Sequence, residues 1–215
     1  MASASALELA RIAKGLKTRA CKRAGKQGRT TAPFDLAYFT DAKVEDNAAS
    51  IANLPKEDGL TTAVIFRHYD AADRPALAKE WRSIAAEHGH LFLMANDVAL
   101  AKQVAADGIH LPEHALARIS RARTAFPNGI ISTACHSLAA LSAAEKTSAD
   151  CAFLSPIFPT SSHPDQPTLG PSILEDTDTT HLPVLALGGI NLHTASKLEN
   201  TNFQGIGAID GLAVS

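Results

Sequence analysis

The sequence predicts an α/β fold in which eight parallel strands close into a small (β/α)8 barrel, with an extra helix at the N-terminus. Three observations carry that expectation. From Phe34 onward, short apolar runs alternate strictly with amphipathic segments of helical length, the pattern of a parallel sheet with crossover helices. There are eight such runs, which favours a closed TIM barrel over an open doubly wound sheet. Polar and glycine-rich groups gather where the runs end, and barrels of this kind carry their sites at the C-terminal ends of their strands.

The elements are expected in the following order. Residues 1–32 form an N-terminal helix and basic linker. Ser5-Ala6-Leu7-Glu8 reads as a capping box, and Leu7, Leu9, Ile12, Ala13 and Leu16 recur at helical spacing. The barrel occupies 33–215. Its strands are predicted at Leu36–Thr40, Thr62–Arg67, Leu91–Ala95, Gly108–Leu111, Ile130–Ala134, Cys151–Leu154, Pro183–Leu187 and Gly205–Ile209. Helices are predicted near Val44–Asn53, Pro75–His88, Asp97–Ala106, Glu113–Ala125, Leu138–Thr147, Ser172–Asp176 and Leu192–Asn200. Only Asp210 to Ser215 follows Ile209, too short for an eighth helix, so the N-terminal helix is expected to cover the strand face left bare.

Composition narrows the function classes. A chain of 215 residues, 46% hydrophobic and 20% charged, can bury one sizeable core. No run approaches the roughly 18 apolar residues of a membrane span, so no membrane partner is expected. Residues 1–30 carry eight Lys/Arg against Glu8, whereas the rest carries 12 basic against 21 acidic residues. No aromatic residues interleave the basic ones, as single-strand-binding surfaces require, so the segment is read as a docked helix without a nucleic-acid partner. Three cysteines without a Cys-x-x-Cys argue against a disulfide framework and a zinc knuckle, and for a reducing, cytoplasmic setting. Gly-x-Gly-x-x-Gly and the Walker pattern are both missing from the sequence, which disfavours those nucleotide enzymes.

The candidate chemistry lies at the strand ends. Leu154 to Gly170 leaves an apolar strand for a loop stiffened by Pro156, Pro159, Pro164 and Pro167, in which Thr160, Ser161 and Ser162 offer hydroxyl donors to an oxyanion. Gly188-Gly189 ends the seventh strand just before a helix, where bare backbone N–H groups can approach a phosphate. Arg67 is a candidate anion ligand or, alternatively, an ion-pair partner of a carboxylate such as Asp70. His110 lies inside Gly-Ile-His-Leu and is either a core histidine or a group facing the site. Strand-end His68, His110, His136 and His163 raise a metal-site alternative, although their spacing matches no compact ligand motif. Cys135 and Cys151 read as small buried hydrophobes.

Five segments then converge in the right order: Asp107-Gly-Ile-His-Leu111, Cys135-His-Ser137, Ser155-Pro-Ile-Phe-Pro-Thr-Ser161 with Leu169-Gly170, Pro183-Val-Leu-Ala-Leu-Gly-Gly-Ile190, and Gly205-Ile-Gly-Ala-Ile209. Together they resemble the thiamine phosphate synthase and TenI family of small barrels. The resemblance implies small phosphorylated substrates and a reaction without a protein nucleophile. A pyrimidine diphosphate loses pyrophosphate, and a thiazole phosphate captures the resulting cation. It implies Arg67 for the diphosphate, His110 near the pyrimidine, and Thr160, Ser161, Gly188, Gly189 and Ile209 around the thiazole phosphate. His163 stands as a substitute cation on the leaving group, and Asp97 with Glu113 would hold Mg2+. Oligomeric state stays open.

The chain also departs from the family pattern. Gln-Leu-Arg-x-Lys is replaced by Ile65-Phe-Arg-His-Tyr69. The two metal-binding aspartates fall on Asn96 and Ala115, unless a one-residue slip brings Asp97 into place. A pyrimidine-facing serine falls on Ala134, a loop lysine on His163, and a phosphate-facing serine on Asp210. Ser155-Pro156 occupies the region where the TenI branch keeps its histidine. Each lost electrostatic contact at such a site is worth ~3 kcal/mol, or about a hundredfold in rate. The alternative reading is therefore a divergent non-catalytic or regulatory barrel that binds a phosphorylated metabolite of the same pathway.

Overall fold

All eight expected strands form and pair in sequence order into a closed parallel barrel. They are β1 (Leu36–Phe39), β2 (Thr62–Phe66), β3 (Leu91–Ala95), β4 (Gly108–Leu111), β5 (Ile130–Cys135), β6 (Cys151–Leu154), β7 (Val184–Ala186) and β8 (Ile206–Ala208), which returns to β1. The computed structural model describes residues 2–27, 30–41, 48–160, 166–174, 180–209 and 212, with 24–27 as backbone only. The runs are largely apolar because each strand is buried on both faces, inward against the barrel interior and outward against helices, and Thr62, His110, Ser132 and Thr133 are buried polar exceptions. Successive residues therefore divide between two cores. Ala37, Phe39, Ile65, Leu93, Phe153 and Leu185 fill the interior, while Tyr38, Val64, Phe66, Phe92, Met94 and Leu154 pack under the outer layer.

Outside the strands lie α1 (Ala4–Gln27), α2 (Ala48–Ala52), α3 (Arg74–Glu87), α4 (Val98–Gln103), α5 (Ile119–Ala125), α6 (Leu138–Glu145) and α7 (Leu192–Ala195). Two predicted helices are split. Pro112 enters the fifth without a side-chain cap, and Glu113–Arg118 winds as a 3₁₀ turn before α5. The last continues from α7 as a 3₁₀ turn, Ser196–Leu198. Several strand-to-helix turns are pinned by N-caps. Asp73, Asp97 and Ser137 accept hydrogen bonds from Ala76, Leu100 and Ala140 N–H at 3.0, 2.9 and 3.1 Å.

The N-terminal helix departs from expectation in two ways. Its cap is Ser3, whose hydroxyl accepts from Ala6 N–H at 3.1 Å, rather than Ser5. The basic run assigned to a linker is helical through Gln27. Ala6, Leu9, Ala10, Ala13 and Leu16 are buried, and α1 packs against β1 and α7, where an eighth helix would sit. Its cations are anchored to the barrel. Arg11 pairs with Glu57, Lys17 with Asp35, and Arg23 with Asn202. No described helix is long and apolar enough to cross a membrane.

Acidic residues before β1, β4 and β6 have a structural task at the far end of the barrel. Asp35, Asp107 and Asp150 accept from the N–H of Thr61, Phe92 and Ile131 at 2.6, 2.8 and 2.7 Å. A cleft of about 540 Å3 opens at this same end. Arg123 on its wall is already bonded to the carbonyls of Gly129 and Ser148 and to the Asp150 carboxylate.

Candidate active site

The mouth at the C-terminal end of the barrel is built over an aromatic box. Phe39 and Phe153 meet edge to face at 4.8 Å, and the His110 ring stands edge-on to both, at 5.4 and 5.6 Å. Gly207 makes room for this box. A Cβ there would come within 2.9 Å of the Phe39 ring and 3.1 Å of Phe153. His110 Nδ1 lies 3.0 Å from Ser132 Oγ. Burial, and after it the Arg67 charge, lowers the His110 pKa to about 3, so the imidazole is neutral near pH 7.

Arg67 caps the box, its guanidinium carbon 5.6 Å from the Phe39 ring centre. Nε donates to the Thr40 carbonyl at 2.8 Å, and Nη2 to Asp41 Oδ2 at 3.2 Å. Its acidic partner is therefore Asp41, not Asp70. His68 turns the other way. It is buried against Phe66 and Trp81 with Nδ1 3.0 Å from Thr40 Oγ1, and burial lowers its pKa. His136 Nδ1 faces the Ser155 carbonyl at 3.0 Å. The strand-end histidines thus serve separate local contacts. Among the described residues no group of three or more His, Cys, Asp or Glu converges on a metal-binding point, and His163 lies outside them.

Across the mouth the rim is backbone. Ile157 and Phe158 N–H donate to the carbonyls of Leu187 and Gly188 at 2.9 and 3.1 Å, laying the β6 loop on the end of β7. Gly188 and Gly189 have φ of +91° and +66°, and a Cβ would come within 2.8 Å of Pro156 Cα at the first and 2.3 Å of the Pro159 carbonyl at the second. Both positions need glycine for conformation and for space. Asn191 caps α7 and engages Thr194 in a reciprocal box, while the Gly188, Gly189 and Ile190 N–H groups donate to no described residue. Thr160 is half-buried at the end of the described part of this loop, and Ile209 is half-buried beside the interior cluster. Ser161, His163 and Asp210 lie outside the described residues.

The pair expected to hold Mg2+ does not fit that role. Asp97 is the N-cap of α4. Its Oδ1 accepts from Leu100 N–H and its Oδ2 from Arg74 Nη1, both at 2.9 Å. Both oxygens of Asp97 thus already have protein partners. Asn96 adopts φ 57° and turns its side-chain carbonyl to Arg118 Nη1 at 2.8 Å. Glu113 Oε2 accepts from His136 N–H at 2.5 Å. A dication on Asp97 would share the carboxylate with a guanidinium. At about 4 Å and an effective dielectric near 20, that repulsion is roughly 4 kcal/mol per unit of charge.

Sequence reading missed Phe39, Phe153, Ser132 and Arg74. The signals available were Gly207 inside a strand, marking a close approach, and an arginine beside the proline that opens α3.

A family model described as thiamine monophosphate synthase matches residues 38–212, from β1 past β8. The chain is 32% identical over 146 residues to the thiamine-phosphate synthase of Staphylococcus carnosus, covering 66% of this chain and 68% of that one. It is 29% identical over 180 residues to the thiamine-phosphate synthase of Pyrococcus horikoshii, covering 82% and 86%. The solved structure of thiamine phosphate pyrophosphorylase from Pyrococcus furiosus superposes with a TM-score of 0.66 at 29% identity, over 81% of this chain and 84% of that one.

Proposed function

We propose, because the chain belongs to the thiamine monophosphate synthase family, that it joins hydroxymethylpyrimidine diphosphate to a thiazole phosphate. The bond between the pyrimidine methylene carbon and the diphosphate oxygen breaks, and its electron pair leaves on pyrophosphate. The thiazole nitrogen lone pair then closes the new C–N bond, giving thiamine phosphate. No proton transfer and no covalent enzyme intermediate are needed, so the protein's tasks are to position, to exclude water and to stabilise charge.

The observation that carries this reading is a mouth with Arg67 on one rim and backbone N–H groups on the other above a largely apolar floor, in a barrel whose family match runs from within β1 past β8. Arg67 faces the departing diphosphate, with His163 as a second cation. The neutral His110 imidazole and the Phe39 and Phe153 rings lie under the pyrimidine and keep water from the cation. The Gly188 and Gly189 N–H groups, with the Thr160 and Ser161 hydroxyls, take the thiazole phosphate, and Ile209 flanks its ring. The unpaired Cys21, Cys135 and Cys151 support the reducing, cytoplasmic setting that this role carries.

The test is to incubate purified protein with both substrates and follow thiamine phosphate as fluorescent thiochrome alongside released pyrophosphate. Equal amounts of the two products, lost with Arg67→Ala, are expected. Binding of thiazole phosphate without any product would replace the synthase reading by that of a ligand-binding barrel.

A further inference from the structure

We infer that the diphosphate side of this mouth takes its anion on arginine cations without a carboxylate-bound Mg2+, the Arg74 guanidinium standing in the cation position at Asp97; this rests on the synthase reading. Arg74 opens α3, and its side chain folds over the end of β3, keeping only 14% of its surface exposed. Nη1 donates to Asp97 Oδ2 at 2.9 Å and Nη2 to the Ala95 carbonyl at 3.1 Å. The guanidinium carbon lies 5.8 Å from the Phe66 ring centre and 5.4 Å from that of Tyr69. Two rings, a carboxylate and a carbonyl thus hold one permanent cation in place.

The neighbouring oxygens are committed in the same way. Mg2+ demands a near-octahedral set of oxygens at about 2.1 Å. Here Asp97 is divided between a backbone N–H and Arg74, the Asn96 carbonyl is turned to Arg118, and Glu113 accepts from the His136 N–H. Tyr69 stands where the family pattern carries a lysine, and the Arg74 guanidinium over its ring returns a positive charge to that place. Arg67, Arg74 and Arg118 then place three guanidinium groups along the rim from β2 to β4, beside the Asp41, Asp97 and Glu113 carboxylates.

Calorimetric titration of the intact chain with inorganic pyrophosphate, in chelator and in Mg2+ buffer, tests this. The expected affinity in chelator lies within about threefold of that in Mg2+. Arg74→Gln should lose about tenfold in chelator and acquire a Mg2+ dependence, because it releases Asp97, whereas Arg74→Lys keeps the metal-free behaviour. Melting curves of both variants separate a folding defect from a lost cation. Pyrophosphate binding by the unmodified chain only with Mg2+, and abolished by Asp97→Asn, overturns the inference. So does the lack of binding in either buffer. Pyrophosphate bound in chelator with no thiamine phosphate formed would leave the metal-free anion site standing and bring down the synthase reading alone.

Discussion

On the β6–β7 side of the mouth, the groups proposed to meet an anion are backbone amides, shaped by two glycines at positive φ and a proline-stiffened loop pressed against them. On the β2–β4 side they are side chains, and each polar group is held by a partner from another element: Arg67 by Asp41 after β1, Asp97 by Arg74 of α3, Asn96 by Arg118 of the 3₁₀ turn before α5. The first construction is fixed by sterics, so small additions break it. The second is fixed by electrostatics, so it answers to charge, protons and competing cations. The two proposed anion sites therefore have different vulnerabilities.

The comparison is broken most forcefully on the backbone side. Gly189→Ala puts a Cβ 2.3 Å from the Pro159 carbonyl at a positive φ, and a loss of about 3–4 kcal/mol is expected in denaturant unfolding. An unchanged midpoint would mean that this rim is not sterically determined. On the side-chain side, Arg67→Ala should lower kcat/KM by about a hundredfold, near 3 kcal/mol, with little change in stability. If it melts early instead, Arg67 is a structural ion-pair partner.

Acid should also distinguish the two sides. Burial lowers the folded-state pKa of His110 to about 3 and also lowers that of His68. The unfolded chain therefore takes up protons first. This stability is fully present above the ordinary histidine value near 6.5 and declines as pH falls toward the folded value. For His110 the loss between pH 6.5 and pH 5 is roughly 1.5–2 kcal/mol. Unfolding midpoints at the two pH values check it, and His110→Gln should flatten the slope. The smallest effect is expected at Thr160→Ala, a severalfold weaker binding of thiazole phosphate, because backbone N–H groups supply most of that contact.

The same division explains what was legible in the sequence. Strand identity follows from apolar runs bounded by breakers, and all eight strands form within about two residues of expectation. The backbone rim was equally visible, since paired glycines after a strand and a proline-dense loop announce their own geometry. The charged rim was not. That Asp97 caps α4 follows from local spacing, but its capture by Arg74 depends on how α3 folds over β3, which no periodicity records. Arg67 was readable as a charge at a strand end, yet its partner proved to be Asp41 because the β1 end is a spatial neighbour while Asp70 is only a sequence neighbour. Phe39 and Phe153 looked like ordinary core, and only closure of the barrel makes them the floor of a site.

A crystal structure of the chain with both products, thiamine phosphate and pyrophosphate, tests the two-sided mouth most directly. The expected result is pyrophosphate against Arg67 on the β2–β4 side and the thiamine phosphate phosphoryl group on the Gly188 and Gly189 amides. Both anions on one side, or either bound away from this end of the barrel, would contradict the account.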